Sequence, residues 1–254
     1  MPPSDVSAFN WRRQFLIASE RSDALEMMDG DGYEPTELRQ NFRDIRRVNQ
    51  LLGGTSTILH HLPRLLDLIP PTKPVTMLDL ATGSADIPAA IADWAKKRGR
   101  AVSIVASDSS ADVLALARAE TGGHPDISLA QYDARAVPLP DKSFDIVLCS
   151  LSLHHFGPDD AVRVLREMDR LSRIGFILND LRRSRSGYAA AWAAARLTTR
   201  NRLTRNDAPL SVRRAYTPEE LRQLLRTAGI HDVVISKRLW FRMAAVSPGV
   251  DDDD

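Results

Sequence analysis

From Val75 onward the chain alternates short, almost wholly apolar runs with segments of helical spacing. This alternation restricts the fold more than any other feature of the sequence. VTMLDL, AVSIVASD, DISLAQYD, SFDIVLCSLS and IGFILNDL read as strands, and ADIPAAIADWAKKRG, SADVLALARAE and PDDAVRVLREMDRLS read as helices between them. Strand runs that are apolar throughout belong to a parallel sheet covered on both faces, so the predicted class is α/β.

The flanks are read in the same way. Upstream, PTELRQNFRDIRRVNQLL places Leu38, Phe42, Ile45, Val48 and Leu52 on one helical face, with Pro35 at its start and Gly53 and Gly54 at its end. TSTILHHLPRLLDLI is a second helix, bent at Pro63. Downstream, GYAAAWAAARLTTR is helical and NRLTRNDAPLSVRRAY is read as irregular. TPEELRQLLRTAG is a helix with Thr217 as N-cap, Pro218 first and Gly229 at the end. HDVVISKRLWFRMAAVS gives two β segments turning near Lys237. The predicted organisation is a helical cap over 1–73, the main domain over 74–247 and an acidic, disordered tail over 248–254.

Bulk properties exclude several function classes. Among 254 residues, 43% hydrophobic and 26% charged, the formal net charge is +1, which sets up no strong field toward nucleic acid or a membrane surface. The lone cysteine, Cys149, lies in an apolar run and builds neither a disulfide nor a cysteine zinc site. The first twenty residues interleave charges without an apolar core, unlike a signal peptide, and no window reaches the ~18 apolar residues of a membrane span. A soluble, cytoplasmic protein is expected, monomer or homodimer. The arginines at 182, 183 and 185, and those between Arg196 and Arg214, read as a solvated face and a basic loop.

The turn after the first strand, DLATGSAD, raises the functional question. In an open parallel sheet the ligand lies beyond the carboxyl ends of the strands, where small residues and a helix N-terminus let it approach. Asp79 ends the first strand, Asp108 with Ser109 the second, and Asp133 the third. Any one of them is an ordinary turn or cap residue; all three fall on the same sheet edge. A dinucleotide fingerprint needs a third glycine at 86, where Asp86 stands and would repel a pyrophosphate.

The series MLDLATGSADIP, IVASDSS, AQYDARAVPLPDKSFDIVLCSLSLHHF and FILNDL resembles the class I S-adenosylmethionine-dependent methyltransferases, over roughly Val75 to Leu181. Within them it is most similar to the small-molecule branch of ubiquinone and menaquinone biosynthesis methyltransferases. RRVNQLLGG and DAPLSVRRAYTPEEL also resemble bacterial natural-product methyltransferases. The resemblance implies a Rossmann-like methyltransferase fold with a mostly parallel seven-stranded sheet, and S-adenosyl-L-methionine as cofactor. It implies that Asp79, Ala81 and Gly83 wrap the methionine end. Asp108 and Ser109 would hold the ribose, Asp133 and Ala134 the adenine, and Ser150 and Leu151 the methionine side. Ala81 and Ala85 stand where the family more often has glycine; a methyl group there costs little while the backbone keeps a negative φ.

Methyl transfer is an in-line displacement that depends on proximity, and a hydroxyl acceptor calls for a base. His154 and His155, just past the fourth strand, are the candidates, with Asp180 at the end of the fifth strand to orient one of them. The same histidines serve equally as pocket walls, or as bystanders to an acidic or carbon acceptor. Two adjacent histidines and one distant aspartate make a thin ligand set, so no metal is expected. Arg213, Arg214, Tyr216 and Trp192 are read as candidates to meet an anionic or phenolic acceptor. The expected function is methylation of a small-molecule acceptor, at a phenolic or quinone-like oxygen more than at carbon, with no nucleic-acid partner. The alternatives are a non-catalytic protein of the same fold acting as a partner, and an NAD-type oxidoreductase.

Overall fold

The structure, a computed structural model, describes residues 20–30, 32–239 and 241–248. The acidic tail, apart from Pro248, and the charge pattern of residues 1–19 lie outside the described residues.

Two helices precede the sheet. Helix α1, Pro35–Leu51, opens with a reciprocal capping box in which Glu34 and Glu37 each accept the other's backbone N–H. Its buried face is more polar than its apolar spacing predicts: Leu38 and Phe42 are buried together with Asn41, Asp44 and Asn49, while Val48 is exposed. The partners explain this, because Thr204 donates its hydroxyl to both Asn41 and Asp44. Helix α2, Gly54–Leu66, carries Pro63 inside it and buries Ile58, Leu62 and Leu65.

The alternation then builds the sheet: β1 Val75–Leu80, α3 Asp86–Lys97, β2 Val102–Asp108, α4 Ala111–Thr121, β3 Ile127–Gln131, β4 Phe144–Ser150, α5 Pro158–Leu171 and β5 Ser172–Leu181. After it come α6 Arg185–Thr198, α7 Arg202–Arg214, α8 Pro218–Ala228, β6 Val234–Arg238 and β7 Arg242–Ser247. The sheet has seven strands in the order β3-β2-β1-β4-β5-β7-β6. Strands β1 to β5 are parallel, and β7 runs antiparallel between β5 and β6. Strand order reverses between β1 and β4, so the crevice between their carboxyl ends is where such sheets take ligands.

Both faces are closed, as the apolar strand runs require. On one side Ile58, Leu62, Ile87 and Ile91 pack on Met77, Ile146, Leu148 and Ile177. On the other, Leu165, Met168, Leu221 and Leu225 pack on Leu78, Val147, Cys149 and Leu178.

Two expectations are corrected. The stretch read as irregular, 201–216, contains helix α7, capped by the Asn201 side chain, which accepts the Thr204 N–H. Burial of Leu203, Pro209 and Val212 outweighs the cost of a proline inside the helix. The last hairpin does not turn at Lys237, which pairs with Met243 inside the ladder; the ladder closes at the pair Arg238 and Arg242, with residues 239 and 241 in the turn.

Candidate functional site

The turn after β1 is held in an unusual backbone state. Ala81, Gly83 and Ala85 have φ of +51°, +57° and +57°, and Leu151 after β4 has +54°. The condition for a cheap methyl group is therefore not met at Ala81 or Ala85. A left-handed conformation costs an L-residue about 1–2 kcal/mol, and such strain collects where backbone must be aimed at a ligand. Gly83 turns the position of its missing Cβ toward the ring of Phe42 from α1, which lies 3.0 Å from it. The near neighbour of this glycine is thus the cap.

Strand periodicity and register assign the side chains at this edge. Asp79 pairs in register with Leu148, Ser150 with Asn179, and Asn179 with Ala244. Asp79, Ser150, Asn179 and Arg242 consequently share the sheet face covered by α2 and α3. Each keeps a buried polar atom with no hydrogen-bond partner among the described residues: Asp79 Oδ1, Ser150 Oγ, Asn179 Oδ1 and Arg242 Nη1. A native interior leaves few such atoms, and four of them on neighbouring strands mark a place built for polar groups from outside the chain. Arg242 is 1% exposed; it donates to the Leu52 carbonyl and to Asn49, which in turn donates to Asp86. Burial pulls its guanidinium down to about 10, with Asp180 and Asp86 acting in the opposite sense.

Asp79 Oδ2 accepts the Thr82 hydroxyl at 2.6 Å. Burial pushes its carboxyl up to about 7; the Thr82 bond opposes this, while the charges of Asp86 and Asp108 add to it. Asp108 bridges two turns by accepting the N–H of Gly83 and of Ser110, each at 3.1 Å. Burial raises its carboxyl above the ordinary range against those bonds. Ser109 is exposed, and its carbonyl accepts Gln131 Nε2. Ala134 is buried at the end of β3's loop. Asp133 is committed elsewhere: both its oxygens are held by Arg135, whose bonds keep its carboxyl below the ordinary range.

Asp180 follows Asn179 by one residue and so faces the other side of the sheet. There it meets His154, which lies in a single 3₁₀ turn over Leu153–His155. Asp180 Oδ1 lies 2.6 Å from His154 Nδ1, and Oδ2 accepts the His154 backbone N–H at 2.9 Å. Asp180 also accepts the Leu181 N–H, so its oxygens act here as acceptors and His154 Nδ1 is the donor. His155 stacks at 4.4 Å between ring centres and places its Nδ1 3.0 Å from Asp29. Both Nε2 atoms turn toward Glu26, at 3.7 Å for His154 and 3.9 Å for His155. Burial pulls the His155 imidazole down, but the charge of Glu26 and the bond and charge of Asp29 outweigh it and raise it to about 9.

Glu26 and the strap that carries it were not among the expected site residues. The strap, 20–30, is stitched down through main-chain groups. The Ser22 N–H reaches the Arg213 carbonyl, and the Met27 and Met28 N–H groups reach Asp207. Arg21 reaches the carbonyls of His154 and Phe156. Arg214 is buried; it donates to the carbonyls of Ala24, His154 and His155, and Tyr216 donates to Phe156. Arg214 and Tyr216, read as acceptor contacts, therefore act as scaffold here. Trp192 carries the Arg196 guanidinium over its ring. Cys149 is buried against Ser152, and burial pushes its thiol up to about 12, so it is inert at neutral pH.

Comparison with known proteins bears on the family and the fold. A family model described as a methyltransferase domain matches residues 77–175. The demethylmenaquinone methyltransferase of Deinococcus radiodurans is 33% identical over 172 residues, 62% of this chain and 68% of that protein. The chain belongs to the class I S-adenosylmethionine-dependent methyltransferases. It is also similar to the ubiquinone/menaquinone biosynthesis C-methyltransferase UbiE of Xanthomonas oryzae, 33% identical over 102 residues, 39% of this chain and 38% of that one. The chain spans less than half the length of this and two further relatives of the same kind. In fold it is similar to a SAM-dependent methyltransferase from Aquifex aeolicus, with a TM-score of 0.54 at 15% identity, covering 84% of this chain and 97% of that one. No described helix is long and apolar enough to cross a membrane.

Proposed function

We propose that the chain transfers the methyl group of S-adenosyl-L-methionine to an oxygen of a small phenolic or quinone-like acceptor, with His154 as base. One observation carries this reading: a buried imidazole fixed at Nδ1 by Asp180 keeps Nε2 outside any hydrogen bond, on the sheet edge that also holds the row of unpartnered polar atoms.

The donor set suits this cofactor. Its amino-acid end carries an ammonium and a carboxylate, and the row offers acceptors on Asp79, Ser150 and Asn179 beside a donor on Arg242. Ala81 and Gly83 aim the strained turn at the same end. Asp108, beside Ser109, retains lone pairs for two ribose hydroxyls after its two backbone bonds. Asp133 meets the adenine amino group, next to the buried Ala134, once Arg135 swings off it. When bound, the cofactor supplies an electrophilic methyl group on a sulfonium.

The rest is done by the chain. The acceptor hydroxyl takes the place of the Glu26 carboxylate beside His154. Its proton passes to Nε2, which leaves an oxygen lone pair free for the methyl group that the bound cofactor would supply. The products would then be S-adenosylhomocysteine and a methyl ether. Asp180 keeps the ring oriented and balances the imidazolium that forms. The second reading is methylation at a ring carbon, which similarity to the C-methyltransferase of Xanthomonas oryzae favours. The same proton removal makes the carbon beside the hydroxyl nucleophilic.

Calorimetric titration with S-adenosylhomocysteine, with NADH in parallel, tests the cofactor; binding of NADH alone would defeat the proposal. A screen of phenols and hydroquinones with methyl-labelled cofactor then separates the two readings. A methoxy resonance in the product supports oxygen transfer, and an aryl methyl resonance overturns it in favour of carbon.

A further inference from the structure

We propose that Glu26, His154 and His155 bind one divalent transition-metal ion of the zinc or cobalt type. The two imidazoles are prepared for it in the same way. His154 gives Nδ1 to Asp180 at 2.6 Å and His155 gives Nδ1 to Asp29 at 3.0 Å, so each ring has its own orienting carboxylate and turns Nε2 inward. That is the arrangement in which histidine ligands are usually held, with the outer carboxylate fixing both tautomer and direction.

The inner atoms converge on one carboxylate. Glu26 Oε1 lies 3.7 Å from His154 Nε2, and Oε2 lies 3.9 Å from His155 Nε2. Both distances are too long for hydrogen bonds. They are close to the separation of two ligand atoms on one ion: at about 2.0–2.1 Å from zinc, neighbouring corners of a tetrahedron stand about 3.4 Å apart. The ligand atoms of all three residues lie within 4.8 Å of one another, so the two Glu26 pairs need to close by only about 0.3–0.5 Å and the widest pair by at most about 1.4 Å, which side-chain rotation supplies. Ser211 donates its hydroxyl to Glu26 and holds the carboxylate in place.

Charge points the same way. Glu26, Asp29 and Asp180 bring three negative charges, and Arg214, at 3.9 Å from Glu26 and 3.7 Å from Asp29, brings one positive charge. Arg242, the next cation, is shared between Asp180 and Asp86. At neutral pH a proton on His155, held there by Glu26 and Asp29, offsets part of this charge, and a divalent ion would displace that proton, in a site where Glu26 is 2% and His154 3% exposed. Buried charge is costly unless balanced, and one divalent ion balances it. The adjacent histidines and distant aspartate of the sequence made a thin set; Glu26, delivered by the strap, supplies the missing ligand.

The ion ties the strap to the sheet edge. It also takes the Nε2 lone pair of His154, so metal occupancy and base action exclude one another; this last consequence rests on the preceding reading, and the binding does not. The test uses the full chain without a histidine tag and the metal alone. Co²⁺ is titrated in and followed by its visible absorption, and Zn²⁺ is then added to displace it. The expected result is one equivalent with the intense bands of tetrahedral cobalt. Affinity should fall at least tenfold in Glu26→Gln and in His155→Gln, and stay unchanged in His231→Gln, an exposed histidine elsewhere. Asp29→Asn, which removes only the orienting carboxylate, should weaken it about tenfold. No saturable band, or a band of equal affinity in both ligand variants, overturns the proposal. No methyl acceptor is present, so a failure here leaves the methyl-transfer reading standing, and an inactive methyltransferase would leave the metal result standing.

Discussion

Replacing Asp79 by asparagine separates the stability of this site from its use. Burial holds the Asp79 carboxyl at about 7 against an ordinary 3.8. A folded-state value above the unfolded one means that the protonated form is favoured by folding. Its contribution is whole below the ordinary value and is lost as pH rises through about 7. At 1.36 kcal/mol per unit, ionised Asp79 penalises the folded state by about 4 kcal/mol above that pH, and by about 1.5 kcal/mol near pH 5. Asparagine keeps the Thr82 hydroxyl bond and cannot ionise, but leaves a buried amide N–H without a partner, at about 1–3 kcal/mol. Asp79→Asn is therefore expected to be more stable than the wild type by roughly 1–3 kcal/mol near pH 8, and level with it or slightly weaker near pH 5. Equilibrium urea unfolding of both proteins across that range measures the difference, in which all shared titrations cancel. The variant should also lose about tenfold or more in affinity for S-adenosylhomocysteine, since the acceptor facing the ammonium is gone. A stability difference that stays constant within about 0.5 kcal/mol from pH 5 to pH 8 would falsify the account of Asp79 as a buried acid.

Three further outcomes are expected. Asp180→Asn should lower kcat by about 10²–10⁴-fold and alter the acidic limb of the pH–rate profile, with S-adenosylhomocysteine affinity unchanged; a lost affinity with an unaltered profile would make Asp180 merely structural. Asp108→Ala should weaken calorimetric binding of S-adenosylhomocysteine by about 1–3 kcal/mol, and unchanged binding would remove Asp108 from the ribose site. Ala85→Gly should leave unfolding free energy level or raise it by up to about 1 kcal/mol, because relief of the left-handed strain outweighs or matches the added freedom of the unfolded chain. The same change at Ala89 inside α3 should cost about 1 kcal/mol, and equal effects at the two positions would refute the strain argument.

The sheet was legible because each parallel strand is a short apolar run and each crossover helix has its own period, so local and global signals agree. The first turn and the aspartates at 79 and 108 were legible for the same reason, since they sit where periodicity changes from strand to helix, and Asp133 was legible as the end of a strand run that passes into a loop. The pairing of His154 with Asp180 could be anticipated from strand ends alone. Glu26 could not, because it lies in a segment of no regular period and is brought to the histidines by backbone bonds to Asp207 and Arg213. Arg242 was hidden by a misplaced hairpin turn: with the turn near Lys237 its register could not be assigned. Helix α7 was hidden by its composition, since Asn201, Asp207 and Pro209 are turn residues by propensity and are overruled by the packing of Leu203 and Val212. The backbone signs at Ala81 and Ala85 have no signature in residue type, because alanine ordinarily avoids that region.

Strand β5 acts as a partition between two rooms. Asn179 opens into the one lined by Asp79 and Arg242, and Asp180, the very next residue, opens into the one with the histidines. A shift of the β5 register by one residue would trade their contents: an amide would stand behind His154, and a second carboxylate would join Asp79 among the unpartnered atoms. Neither room would work, although every residue was still present. An insertion within β5 would therefore undo the arrangement, because the spacing of two neighbouring residues keeps the proposed cofactor end apart from the proposed base.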